Sequence, residues 1–251
     1  MTNFPRPWLL PAFVALAMFA SLACGDGDSK DSPATPAAPT ARATAAPTAK
    51  PANDVAAKIA STKYPLDTAK GTQLGNPDAK VMLEVYEDFQ CPFCLKFTAA
   101  LEPGIIEDFV AKGKVLFVFH NLPILGGESV NAALAAQCAA DQNQFWPYHK
   151  KLFLSQAEAG QADSEKLNVG RFAEANLKAF ADELKLDRAA FDACLTGAGA
   201  SEKVTADLRA AQSLGVRGTP SFVINGQLLT SGSPADNAGW KKLLEDKLAG
   251  R

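Results

Sequence analysis

The chain has 251 residues, 47% of them hydrophobic and 21% charged, with 25 basic side chains against 27 acidic ones for a net charge of -2. That is enough apolar material for one sizeable core or two small ones, and the charges are interspersed rather than clustered, which excludes a nucleic-acid binder. With two histidines, His120 and His149, a histidine-rich metal site is excluded as well.

Residues 1–24 read as a leader rather than as part of the fold. Arg6 supplies a basic start, and WLLPAFVALAMFASLAC is a continuous apolar run closing in small residues. A membrane span wants about 20 apolar residues; this run is shorter and Pro11 interrupts it. The closing SLAC, with Cys24 followed by Gly25 and Asp26, resembles a bacterial lipobox, although Leu22 stands one place nearer the cysteine than the usual large apolar residue. The resemblance implies acylation of Cys24; an uncleaved signal anchor is the alternative. Either way the body of the protein lies outside the cytoplasm, periplasmic or extracellular and tethered to a bacterial membrane. In residues 33–52 everything except Arg42 and Lys50 is Pro, Ala or Thr. Such a stretch buries too little apolar surface to offset its ordering entropy, so residues 25–60 are expected to be a disordered linker. Its prolines favour extended conformations at about 3.1 Å per residue, a reach of roughly 100 Å.

Beyond the linker, strand and helix patterns alternate, and three parts are expected: 61–125, 126–210 and 211–251. KVMLEVYEDF (80–89) has the length and β-rich composition of a buried strand. After Cys91 and Pro92, FCLKFTAALEPGIIEDFVAKG is helical, with Leu95, Leu101, Ile105, Phe109 and Val110 as its apolar stripe, a kink at Pro103 and an end at Gly113. KVLFVFHNLP (114–123) is a second buried strand closed by a proline, completing a βαβ unit with a right-handed crossover. From residue 126 to about 215 the periodicity is helical throughout, in ESVNAALAAQCAADQ, FWPYHKKLFLSQ, VGRFAEANLKAF, DRAAFDACL and SEKVTADLRAAQSLG. This is a helical block inserted where a small α/β protein carries one connecting helix. Strands return in GTPSFVINGQLLTSG (218–232), where Asn225-Gly226 is a strong hairpin signal, and AGWKKLLEDKL ends the chain as a helix.

Five cysteines occur, Cys24, Cys91, Cys94, Cys138 and Cys194. With Cys24 set aside for lipid, an even number remains in an oxidising compartment. Cys91 and Cys94 are close enough to pair with each other, which leaves Cys138 and Cys194 as a second pair inside the helical block. A bridge closing that loop contributes about 4 kcal/mol in the chain-entropy model. Two buried free thiols are the alternative.

The stretch YEDFQCPFC (86–94) carries the chemistry. Proline is favoured at the first helical position, which makes Cys91 the N-cap, its sulfur facing unpaired backbone N–H groups and the positive end of the helix dipole. Both lower a thiol's pKa, from about 8.5 to between 3.5 and 7.5 in cysteines so placed. Cys94 lies one turn later on the same side and can resolve a mixed disulfide formed at Cys91. Phe93 between them offers neither charge nor hydrogen bond. A zinc site needs four ligands, and one cysteine pair with two distant histidines does not supply them, so no metal is assigned. A structural bridge here would enclose two residues and contribute little. Redox chemistry, which needs no cofactor beyond the thiols, is the reading these residues support best.

With these parts in view, the chain from about residue 70 onward resembles the DsbA-like thiol–disulfide oxidoreductases. GNPDAKVMLEVYEDFQCPFC is similar to the family's first strand and active-site helix, FWPYHKKLF to a segment of its helical domain, and GVRGTPSFVING to its proline loop. The resemblance implies an α/β, thioredoxin-like fold with an inserted all-helical subdomain, Cys91 as nucleophile and Cys94 as resolving thiol, with Pro92 and Phe93 setting the motif. It also implies a cis Pro220 against the redox pair, with Thr219 meeting substrate backbone. The implied partners are cysteine-containing exported proteins and a membrane redox protein that recycles the pair. The chain departs from strongly oxidising relatives in having Phe93 where they carry histidine. Reduction or isomerisation by the same pair, and a binding module that uses the fold without chemistry, stay open. Of the nearby acids, Glu87 and Asp88 are expected at a solvated strand end, and Glu84 inside a buried strand. His120 and His149 are expected to be structural.

Overall fold

A computed structural model describes residues 51–251. The leader, Cys24 and the linker up to residue 50 lie outside the described residues. The last part of the stretch read as linker is helix: α1 spans Pro51–Ser61. Here the Pro/Ala/Thr composition gives way to Val55, Ala56 and Ile59 at helical spacing, with Ile59 fully buried. Lys150 secures its end by donating to the carbonyls of Ala60 (2.6 Å) and Thr62 (2.9 Å).

Two short strands follow, β1 (Ala69–Lys70) and β2 (Gln73–Leu74). They went unread in the sequence because two residues carry no periodicity. Gly75 leaves β2 with φ at +106°, where a Cβ would stand 2.8 Å from the Val115 carbonyl oxygen. Glycine alone fits there. Next come β3 (Val81–Glu87), α2 (Pro92–Ala100), α3 (Glu102–Ile105), a single π-helical turn at Ile106–Val110, and β4 (Val115–Asn121). The one kinked helix expected here is two, because Pro103 takes the second position of α3, where a missing N–H is harmless.

β5 (Ser221–Ile224) and β6 (Gln227–Leu228) complete a six-stranded sheet in the order β1-β2-β4-β3-β5-β6. β3 runs parallel to β4, in register from Val81–Val115 to Glu87–Asn121, and antiparallel to β5. Its central place explains why side chains on both of its faces are covered. Val81, Leu83 and Val85 enter the main core, while Tyr86 faces the other way with Leu122, Ala211, Val216 and Val223. Asn225 and Gly226, with φ of +49° and +78°, make the hairpin turn, and Asn225 Oδ1 accepts from the Met82 N–H at 2.8 Å.

The helical block consists of α4 (Gly127–Asp141), α5 (Phe145–Glu158), α6 (Glu174–Glu183), α7 (Arg188–Thr196) and α8 (Ala198–Leu214). Cys138 and Cys194 are bonded, joining α4 to α7 with Cα atoms 5.6 Å apart. Helix α9 (Asn237–Leu248) is capped by the Asp236 side chain, which accepts from the Gly239 N–H, and packs Trp240 against Phe97 and Phe222. The aromatic face of α5 (Phe145, Trp146, His149, Phe153) closes over Phe89, Phe117 and Phe119. The block thereby covers the end of β3 from which the cysteine motif leaves.

Candidate active site

Pro92 opens α2 and Cys91 is its N-cap, in extended conformation. The Cys91 sulfur accepts from the Cys94 N–H at 3.4 Å, and its thiol faces the Thr219 carbonyl oxygen, also at 3.4 Å. Hydrogen bonding from Cys94 outweighs partial burial and, with the Thr219 hydroxyl and the N–H groups of Cys94 and Phe93, lowers the Cys91 pKa to about 6. Cys94 behaves oppositely. Burial is the largest cause, followed by its hydrogen bond to Cys91 and the Glu87 charge, and its thiol is pushed well above the ordinary range. One thiol ionises readily and the other is held protonated. Both are free thiols in this structure.

The loop between β3 and α2 owes its shape to the helical block. Asp88 is 1% exposed. Its Oδ2 accepts from the N–H groups of Ile124 (2.8 Å) and Leu125 (2.9 Å), and its Oδ1 from the Gln90 N–H (2.8 Å) and the Ser129 hydroxyl (2.6 Å). The Phe89 carbonyl accepts from Gln156 of α5 and the Gln90 carbonyl from Gln161. Gln90 in turn accepts from the Asn168 N–H at 2.8 Å. The Gln90 N–H and the carbonyls of Phe89 and Gln90, which an irregular turn leaves without ladder partners, are thus paired by side chains, as a buried loop requires.

The Thr219–Pro220 peptide is cis, lies between α8 and β5, and sets the Thr219 carbonyl oxygen against the sulfur of Cys91. Beside it a groove of about 370 Å³ is walled by Phe93, Phe97, Leu101, Pro220, Phe222 and Pro234. Phe93 is 66% exposed, with the Lys96 ammonium 5.5 Å from its ring centre. The motif residue without a polar group therefore forms part of an apolar surface beside Cys91.

The acidic residues are placed otherwise than their sequence context suggests. Glu87 and Asp88, expected at a solvated strand end, are each 1% exposed because α4 and α5 cover that end. Glu84, expected to be buried, keeps partial exposure and bonds His120 Nε2 at 3.0 Å, while Asp207 takes Nδ1 at 2.8 Å. That histidine ties the sheet to α8. His149 and Glu102 are fully buried and meet Glu87 behind Cys94. Burial raises Glu87 well above the carboxylate range, helped by the charges of Glu102 and Cys91. It also lifts Glu102 to about 8 and drops His149 to about 3. Glu102 escaped the sequence reading, although a glutamate in an apolar stripe beside Pro103 was the available signal.

Known proteins resemble this chain in sequence and in fold. The thioredoxin family model matches residues 67–246. Disulfide bond formation protein D of Bacillus subtilis (strain 168) is 30% identical over 182 residues, covering 71% of this chain and 77% of that protein. The solved structure of oxidised BdbD from Bacillus subtilis aligns with a TM-score of 0.61 at 27% identity, over 75% of this chain and 97% of that one. Alpha-DsbA1 of Wolbachia pipientis shares the fold, with a TM-score of 0.57 at 22% identity over 71% of this chain and 91% of that one.

Proposed function

The chain belongs to the DsbA-like thioredoxin family and is a thiol–disulfide oxidoreductase, and we propose that it works as a dithiol oxidase through Cys91 and Cys94. The observation that carries this reading is the position of the Cys91 sulfur, at the N-terminus of α2 and within 3.4 Å of the Cys94 N–H. A site that stabilises a thiolate stabilises the reduced form, so its disulfide is the stronger oxidant, by about 30 mV for each 1.4 kcal/mol.

A substrate thiolate attacks the Cys91 sulfur of the oxidised pair. The Cys91–Cys94 bond breaks, and Cys94 leaves with the electron pair and takes a proton. A second substrate thiolate then attacks the substrate sulfur of the mixed disulfide, and Cys91 leaves as a thiolate. The substrate gains a disulfide and gives up two electrons and two protons. A disulfide-bearing membrane partner takes them from the enzyme dithiol and restores the oxidised pair. Thr219 and the apolar groove present the site to extended, cysteine-containing segments of exported proteins. Attachment through Cys24 would keep the enzyme beside its recycling partner; no described helix is long and apolar enough to cross a membrane.

Equilibration with glutathione tests the direction of electron flow. A potential more positive than about -200 mV is expected, whereas one near -270 mV would make the chain a reductase. Trapping of substrates on a Cys94→Ala variant tests the roles of the two sulfurs, and a Cys91→Ser chain that kept its cellular function would mark a binding module instead.

A further inference from the structure

Behind the redox pair, Glu87 at the end of β3, Glu102 at the start of α3 and His149 in α5 converge, with one ligand-type atom from each within 4.8 Å of the others. His149 Nε2 is 3.9 Å from Glu87 Oε2 and 3.9 Å from Glu102 Oε2. These separations are too long for hydrogen bonds. Both oxygens of Glu87, Oε2 of Glu102 and Nε2 of His149 are sealed from solvent without a hydrogen-bond partner. Two carboxyls buried in this way are strongly unfavourable unless a cation or protons sit between them.

The outer contacts orient the imidazole. Tyr64 Oη donates to Glu102 Oε1 at 2.6 Å, so it accepts from His149 Nδ1 at 3.4 Å. By these partners Nδ1 carries the proton, and Nε2 turns a bare lone pair toward two acceptor oxygens. With both carboxyls ionised, a lone pair facing their oxygens is repulsive. It is also how a metal-binding imidazole stands, its far nitrogen held by an outer partner and its near nitrogen toward the ion. With two separations of 3.9 Å and the third no more than 4.8 Å, the nearest point equidistant from the three atoms lies at most about 2.5 Å from each, within a few tenths of an ångström of zinc bonds to nitrogen and oxygen.

We propose that Glu87, Glu102 and His149 bind one divalent first-row cation of the zinc class, in a two-carboxylate, one-histidine site behind Cys94, with both unpartnered oxygens of Glu87 serving so that four donors are present. Two carboxylates and a neutral imidazole sum to a charge of -2, which a dication cancels. Oxygen and imidazole donors suit zinc, and a soft ion such as copper(I) would favour sulfur. The three ligands come from separate elements and are buried, so the ion enters as the chain folds. The Cys91–Cys94 pair supplies none of the ligands, and the site stands whether or not the chain is an oxidase.

The test refolds the full chain from denaturant with zinc chloride, desalts it against a weak chelator and counts metal by mass spectrometry. One zinc per chain is expected, with a higher thermal midpoint than the metal-free preparation. Loss of at least nine-tenths of that zinc is expected in Glu102→Gln and His149→Gln chains whose circular dichroism is native. Cobalt(II) loading of the wild type supplies a readout independent of the variants: visible d–d bands without a sulfur charge-transfer band. A wild-type chain that holds no zinc, variants that keep it, or a cobalt–sulfur band would each overturn the site. The cluster would then hold shared protons, or the cysteines would be the ligands.

Discussion

Replacing His120 by glutamine measures how firmly the sheet is tied to α8. The imidazole bonds Asp207 Oδ1 at 2.8 Å and Glu84 Oε1 at 3.0 Å, and stacks on Tyr86 with ring centres 4.5 Å apart. Burial opposes its charge, but the hydrogen bonds to Asp207 and Glu84 outweigh burial and lift its pKa to about 9. Against an unfolded value of about 6.5, that difference corresponds to roughly 3 kcal/mol of stability. The folded pKa is the higher one, so this contribution is complete below pH 6.5 and disappears as pH rises through 9. Urea unfolding followed by circular dichroism, for wild type and His120→Gln across this range, isolates it, because titrations common to both chains cancel in the difference. The wild type should be more stable by about 3 kcal/mol at pH 6, with the gap closing toward pH 10. A gap that stayed constant with pH would refute the charged bridge.

Converting both Cys138 and Cys194 to alanine opens a loop spanning 56 positions. It should cost about 4 kcal/mol and lower the thermal midpoint by about 8–16 °C, while the redox potential of Cys91–Cys94 stays unchanged. Asp88→Asn puts an amide where four donors converge on a carboxylate, and urea unfolding should show a loss of about 1–3 kcal/mol. Phe93→His places a donor beside the Cys91 sulfur. It should raise the potential, by about 30 mV for each 1.4 kcal/mol of added thiolate stabilisation, as read by glutathione equilibration.

The legible parts of this molecule are those where periodicity and punctuation coincide. β3 and β4 announce themselves as apolar runs of strand length, the N-cap by Cys91-Pro92 and the hairpin by Asn225-Gly226. The start of α1 was hidden by a prefix of Pro, Ala and Thr, since three apolar residues on one face make a weak signal until α5 is there to receive them. Burial of Glu87 and Asp88 is hidden in the sequence for a related reason. Charge at the end of a strand ordinarily faces water, and only the folded helical block reveals that this end is covered. Asp88 is satisfied by donors from residues 90 to 129, and no local pattern encodes such a convergence. His149 read as structural from its place in an aromatic helix, and its neighbours Glu87 and Glu102 come from elements 15 residues apart that a one-dimensional reading does not bring together.

The central claim, that Cys91 is ionised by its place at the head of α2, is tested most directly by the pH dependence of thiolate absorbance and alkylation rate in the reduced chain. A single transition near pH 6 is predicted for Cys91, leaving about nine in ten of these sulfurs ionised at pH 7. A midpoint at the 8.5 or so of a free cysteine would contradict it.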